Sequence, residues 1–302
     1  MLDISKIVSL HCEITTHCNA RCPQCPRNFC GWNQPIDIEL KHMKPLELRK
    51  ITDQLPPVYA LFCGNHGDPM MHPNLMELVC QFKQVTIDTN GSMGALKTYR
   101  QLAENGVDIW FSIDGLEDTN HIYRQDVVWD NIMERVDAFI SAGGRATWKF
   151  IVFRHNMHQI DQARELSVEL GFENFELIRG GRDWGPILNN SGEEVGWLLP
   201  SDRDVGPYEY DRDFEIELLN NPVNLRYDKS DAIIDCEMLT DGTIYVDVDC
   251  NILPCCYHGV NAHIKAQGNS LQEQLNSFAF LQDNWGKKDC DETCYSACKR
   301  RS

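Results

Sequence analysis

Six short runs rich in apolar, β-branched and aromatic residues alternate with amphipathic segments along residues 1–180. The runs are KIVSLHCEIT (6–15), ALFC (60–63), VTIDT (85–89), DIWFSID (108–114), TWKFIVF (147–153) and FELI (175–178). Runs of this length bounded by turn residues read as strands. Between them, Pro45 to Leu55 puts Leu48, Ile51 and Leu55 on one face. Asn131 to Ala142 spaces Ile132, Val136, Phe139 and Ile140 as a helix does and stops at Gly143-Gly144, and Gln162 to Leu170 stops at Gly171. These are amphipathic helices with glycine stops. Strands alternating with helices restrict the chain to a parallel sheet with right-handed crossovers, either an open doubly wound sheet or a partial barrel. In both, ligands sit at the carboxyl ends of the strands. The unusual sequences fall there: THCNARCPQC after the first run, GNHGDP after the second, NGS after the third and DG after the fourth.

A chain of 302 residues buries a sizeable core without staples, so its fourteen cysteines need a reason other than stability. Seven lie at 12–80 and seven at 236–298, with none in the 155 residues between. That split suggests two metal-bearing ends joined by a metal-free body. No run approaches the roughly 20 apolar residues that span a bilayer. MLDISKIVSLHCEITTHC has charges on both sides of a short apolar stretch and no small-residue cleavage site, so it reads as a first strand rather than a signal peptide. A reducing cytoplasm is therefore expected, where cysteines serve metal or redox chemistry rather than disulfides. The net charge of −17 argues against a nucleic-acid partner, because such binding draws on phosphate contacts from a basic face. The one compact basic run, KRRS (299–302), reads as a solvated terminus.

Cys18, Cys22 and Cys25 form C-x3-C-x2-C. Three thiolates on one loop suit a tetrahedral metal or one face of a cubane. Structural zinc takes four ligands, and His17 or Cys30 would have to be the fourth. His17 adjoins Cys18, which makes shared ligation awkward. A cluster held by three cysteines instead leaves one iron open to a small molecule. Cys12, Cys30, Cys63 and Cys80 read as ordinary small buried side chains. His66, His121 and His258 read as satisfied structural histidines, and Trp32, Trp110 and Trp148 as core or cavity wall.

On these residues the chain resembles the radical S-adenosylmethionine (SAM) superfamily. The three-cysteine loop follows the first strand, GNHGDP (64–69) follows the second, TNG (89–91) the third, and SIDG (112–115) the fourth. His121 and Arg124 come next, at a spacing seen in members with a C-terminal cluster domain. The resemblance covers about residues 6–178, with a second part at 236–298. Two positions depart from the pattern: Gln24 stands where an aromatic residue is common, and Asp68 where glutamate is. The resemblance implies an α/β partial (β/α)6 TIM-like barrel with a small C-terminal β-hairpin/helix iron–sulfur module. It implies a [4Fe-4S] cluster on Cys18, Cys22 and Cys25, with SAM on the fourth iron and cleaved to a 5′-deoxyadenosyl radical that takes hydrogen from a substrate. Gly64, Asn65, Gly67 and Asp68 would receive the ammonium of SAM, the glycines letting the backbone approach a ligand. Asn90, Ser112, Asp114 and Arg124 are the further cofactor-binding candidates, Arg124 because its planar fork pairs a carboxylate.

CEMLTDGTIYVDVDCNILPCCYHG and KKDCDETCYSACKR resemble the auxiliary modules called SPASM or, in the shorter form, twitch. On that pattern Cys236, Cys255, Cys290 and Cys294 hold one auxiliary [4Fe-4S] cluster, with Cys298 able to replace Cys290 or Cys294. Cys250 takes a turn position where the pattern has glycine, and Cys256 is a neighbour of the cluster. A structural zinc is the alternative at this end. The expected organisation is a barrel at 1–180, a linker or substrate-side segment with room for a short helix at 181–230, and the auxiliary module at 231–302. The expected activity is oxidation or modification of a peptide or small molecule, with a flavodoxin or ferredoxin as reductant. An electron carrier or a zinc-stabilised interaction protein is the competing reading, and neither would cleave SAM.

Overall fold

Every one of the six runs forms a strand, and the strands pair in the order in which they are made. The computed structural model describes residues 3–27, 38–178, 185–189, 191–199, 233–235, 241–256, 267–268, 270–278 and 299–301. Cys30, Trp32, Cys236, His258, Cys290, Cys294 and Cys298 lie outside the described residues, as does most of 181–230. The first half runs β1 (Ser9–Cys12), α1 (Pro45–Thr52), β2 (Tyr59–Phe62), α2 (Leu75–Val79), β3 (Gln84–Thr89) and α3 (Leu96–Glu104). It continues through β4 (Asp108–Ser112), α4 (Asn120–Tyr123), α5 (Trp129–Ile140), β5 (Arg145–Ile151), α6 (Ile160–Glu169) and β6 (Asn174–Ile178).

The eight-stranded main sheet has the order β11-β10-β1-β2-β3-β4-β5-β6. β1 to β6 are consecutive and parallel. A doubly wound sheet reverses its strand order at a switch point, and none occurs in β1–β6. The winding is that of a partial barrel, with the helices on one face.

Alternation along the strands sorts the side chains to the two faces. Phe111 is fully buried on the helix side, where its ring lies 6.1 Å from those of Tyr99 on α3 and Phe139 on α5. Burying one such ring stabilises by about 1.5–3 kcal/mol. Ile87, Trp148 and Phe150 share its burial. The opposite face carries Asp88, Trp110, Ser112 and Lys149, in the register Asp88↔Trp110 and Ser112↔Lys149.

Later segments depart from expectation in two places. Residues 185–198, expected to be linker or loop with room for a helix, form an antiparallel hairpin of β7 (Gly185–Leu188) and β8 (Glu194–Leu198). The expected C-terminal hairpin is present as β10 (Thr243–Val246) and β11 (Ile252–Leu253), but β10 joins the main sheet beside β1, pairing Ser9↔Thr243 through Cys12↔Val246 in parallel. Asp247 closes its turn by accepting from the amides of Asp249 and Asn251 at 2.9 and 2.8 Å. Cys250 takes φ 62° there, a left-handed conformation that favours glycine. β9 (Ile233–Asp235) pairs with β12 (Lys299–Arg301). α7 (Leu271–Asn276) starts at a Ser270–Glu273 capping box and buries Leu271 and Leu275. Among the described residues no helix is long and apolar enough to cross a membrane.

Candidate active site at the carboxyl ends of the strands

A cavity of about 450 Å³ opens at the carboxyl ends of the strands. Cys18, Cys22 and Cys25, the 64–68 loop, Asn90, Ser112 and Arg124 all line it. Four separate sequence motifs thus meet on one wall, because parallel strands deliver all their following loops to the same end. Asp114 stands directly behind Arg124, fully buried. Of the described candidates, Asp114 and Cys255 are outside the lining; Cys255 is partly buried and adjoins Cys256, whose carbonyl accepts from Asn65.

The thiols are poorly solvated. Burial pushes Cys22 up to about 11, opposed by the Arg124 guanidinium, whose Nη1 donates to its Sγ at 3.6 Å. Burial raises Cys18 as well, and the carboxylate of Asp68 adds to it. Such thiols ionise when a metal supplies the compensating charge, and thiolates are the ligands of iron–sulfur clusters and of zinc alike. Among the described residues, however, no three His, Cys, Asp or Glu side chains stand close enough to share one ion. The three cysteines of the loop line one cavity.

Asp68 is engaged in the protein. Its carboxylate accepts from Thr89 Oγ1 at 2.7 and 2.9 Å, the Asn90 amide at 2.8 Å and the Met70 amide at 3.0 Å. It ties the loop after β2 to the loop after β3, and within that loop the His66 carbonyl accepts from Arg27 Nη1 at 2.7 Å. Gly67 serves a close approach within the protein: a Cβ there would lie 1.9 Å from the carbonyl oxygen of Thr15. Asn90 is a tie of the same kind, donating to Asn19 Oδ1 of the cysteine loop at 3.0 Å.

Asp114 Oδ2 accepts from Arg124 Nε at 2.6 Å, and its Oδ1 accepts from the Ile151 amide at 2.6 Å. Burial raises the Asp114 carboxyl, and Arg124 pulls it back. Burial works against the charge of Arg124, and Asp114, with Cys22, Tyr123 and Asp88, together more than offset this. Ser112 Oγ donates to Asp88 Oδ1 at 2.7 Å, and Lys149 Nζ donates to Asp88 Oδ2 at 3.0 Å while lying 4.3 Å from the centre of the Trp110 ring. Asp88 and Lys149 were not among the sequence candidates. Their signal is a charge within the otherwise largely apolar strands VTIDT and TWKFI, on the face away from the helices.

Other expectations are corrected. Cys63, read as an ordinary buried side chain, lines the cavity, and Cys80 is exposed at the end of α2. Cys12 is fully buried, as expected. His66 is held by Glu13, whose Oε1 accepts from its amide at 2.6 Å. Gln24 is 8% exposed, and its Nε2 has no hydrogen-bond partner. It packs on β7, where a Cβ on Gly185 would lie 2.1 Å from that nitrogen. Arg21 Nη2 donates to the Asn189 carbonyl at 3.1 Å, so the β7–β8 hairpin covers the cysteine loop.

The fold and its loop-built cavity define an α/β partial barrel of the kind found in radical SAM enzymes. Streptococcus suis SuiB bound to S-adenosylmethionine superposes with a TM-score of 0.55 at 16% identity, over 94% of this chain and 67% of that one. Native anSMEcpe with bound AdoMet gives 0.57 at 13% identity, over 89% and 80%. SuiB bound to the precursor peptide SuiA gives 0.54 at 17% identity, over 97% and 66%. A curated relative, the tungsten-containing aldehyde ferredoxin oxidoreductase cofactor-modifying protein of Pyrococcus furiosus, is 29% identical over 118 residues, 37% of this chain and 32% of that protein. The chain thus matches about a third of that relative's length. No protein-family model matches.

Proposed function

We propose that the chain is a radical SAM enzyme that modifies a peptide or a small molecule with the help of an auxiliary [4Fe-4S] cluster. The observation that carries this reading is the meeting of three thiols from one loop with residues 64–67, Ser112 and Arg124 around a single cavity. When bound, a [4Fe-4S] cluster on Cys18, Cys22 and Cys25 supplies the electron for reductive cleavage of SAM and so for hydrogen removal from substrate. The protein binds and orients. The loop of residues 64–67, which lines the cavity, would receive the ammonium of SAM. Arg124, fixed through Nε by Asp114 and with Nη1 on Cys22, lines the cavity, where its guanidinium would pair a carboxylate. Ile151 and Ile178 give the cavity apolar wall, and the β7–β8 hairpin restricts water from the cysteine side.

Cys236, Cys255, Cys290 and Cys294 are the proposed auxiliary ligands, with a flavodoxin or ferredoxin as electron donor in a reducing cytoplasm. A peptide substrate gains support from neighbours of the same fold that carry peptides, SuiB with SuiA and anSMEcpe with Cp18Cys. The test is anaerobic reconstitution with iron and sulfide, reduction, and incubation with SAM, on the wild type and on Cys18→Ala/Cys22→Ala/Cys25→Ala. The wild type is expected to hold iron for two cubanes and to form 5′-deoxyadenosine. The triple variant is expected to keep the C-terminal iron and form none. Zinc in place of iron, or clusters that leave SAM intact under reduction, would overturn the reading.

A further inference from the structure

Asn65 belongs to the loop that faces the cavity, yet its side chain is turned toward the C-terminal hairpin. Its Nδ2 donates to the carbonyl of Cys256 at 2.8 Å and lies 3.0 Å from Tyr245 Oη. Its own carbonyl accepts from the thiol of Cys25 at 3.7 Å. Tyr245 Oη, on β10, donates to Glu13 Oε2 at 3.0 Å, and Glu13 Oε1 takes the amide of His66. Glu13 is 3% exposed and Tyr245 1%. The end of β1, the loop after β2 and the C-terminal hairpin are therefore joined by one buried network, with Asn65 at the junction.

We propose that Asn65 is a positioning residue through which the C-terminal cysteine pair, Cys255 and Cys256, sets the conformation of the SAM-facing loop. The Asn65 amide hydrogens go to the hairpin, so a displacement of the Cys255–Cys256 backbone carries the loop with it. Buried polar networks of this kind respond as units, because a group left unpaired away from water is costly. The loop in turn lines the cavity with residues 64–67 and touches Cys25, so the consequence is felt at SAM. This inference rests on the radical SAM reading for its ligand, and its geometry is independent of it.

The experiment is a double-mutant cycle on the full chain, reconstituted anaerobically: wild type, Cys255→Ser, Asn65→Ala and both together. SAM affinity is read from the change in the reduced cluster's paramagnetic resonance spectrum. Amide hydrogen exchange at 64–67 is measured on the same proteins, with and without iron. Residues sharing a network give non-additive effects. Asn65→Ala is expected to weaken SAM binding about tenfold, the size of one or two lost hydrogen bonds, Cys255→Ser by a similar factor through displacement of the Cys255–Cys256 backbone, and the double variant no more than either single one. Exchange at 64–67 is expected to rise in all three, and in Tyr245→Phe, which removes one hydroxyl and leaves every cysteine in place. Additive losses, or unchanged exchange at 64–67 in both Cys255→Ser and Tyr245→Phe, would overturn the proposal. If no protein binds SAM, the radical SAM reading fails, while the exchange data still decide the coupling.

Discussion

Asp114→Ala will lower the free energy of unfolding by about 3–5 kcal/mol, the cost of removing one partner from a buried ion pair. Asp114 has a fully buried side chain, and that of Arg124 is 12% exposed. The lone guanidinium would be left away from water with Cys22 as its remaining polar neighbour. The Ile151 amide would lose its acceptor too. Urea unfolding of the variant reads the loss. The double variant Asp114→Leu/Arg124→Met separates the causes, since replacing both charges by apolar groups relieves the unpaired cation. It should recover most of the stability, short of the part owed to Ile151. Recovery of none would show that the pair is incidental and that Asp114 acts through the backbone alone.

Gly67→Ala is expected to cost on the order of 3 kcal/mol, at the upper end for overpacking a well-packed site. Backbone, not a flexible side chain, occupies the place a Cβ would take, so relief requires the loop after β2 to part from Thr15. SAM binding should fall with stability, because the same loop carries the 64–67 carbonyls. Gly196→Ala is the control: its nearest neighbour would be Ile187 Cδ1 at 3.7 Å, an ordinary contact. That variant should be unchanged or slightly more stable, through a less flexible unfolded chain. Equal stability of the two variants would refute the close approach.

The strands were legible because their residues satisfy two demands at once. Val85 and Ile87 favour extended backbone and also face the helices, so local preference and burial agree. Helix α5 was legible for the same reason, with Ile132, Val136 and Phe139 spaced to pack on the sheet. The sequential winding was legible through the motifs' resemblance, which implied a partial barrel, and not through the strand–helix pattern alone. Both open and barrel-like sheets use the same strand–helix unit, and strand order is decided by contacts distant in sequence. The β7–β8 hairpin escaped because GPIL and EVGWL mix glycine, proline and charge, and its pairing is closed by a turn in which Asn189 Oδ1 accepts from the amides of Ser191 and Glu193. At the site, chemistry-bearing loops announced themselves. Glu13, Asp88 and Lys149 did not, since a charged residue within or beside a strand reads as solvent-facing until the other face is known to be enclosed.

One pairing bears on how such a protein is made. β1 carries the first cysteine loop at its end, yet one of its two neighbours, β10, is synthesised long after it. At about 5–20 residues per second, tens of seconds separate synthesis of Ser9 from that of Thr243. During that interval one edge of β1 has no native partner, and the network through Tyr245 is unformed. A delivery factor handing iron and sulfide to Cys18, Cys22 and Cys25 would meet an open loop on the nascent chain, and a closed one after release.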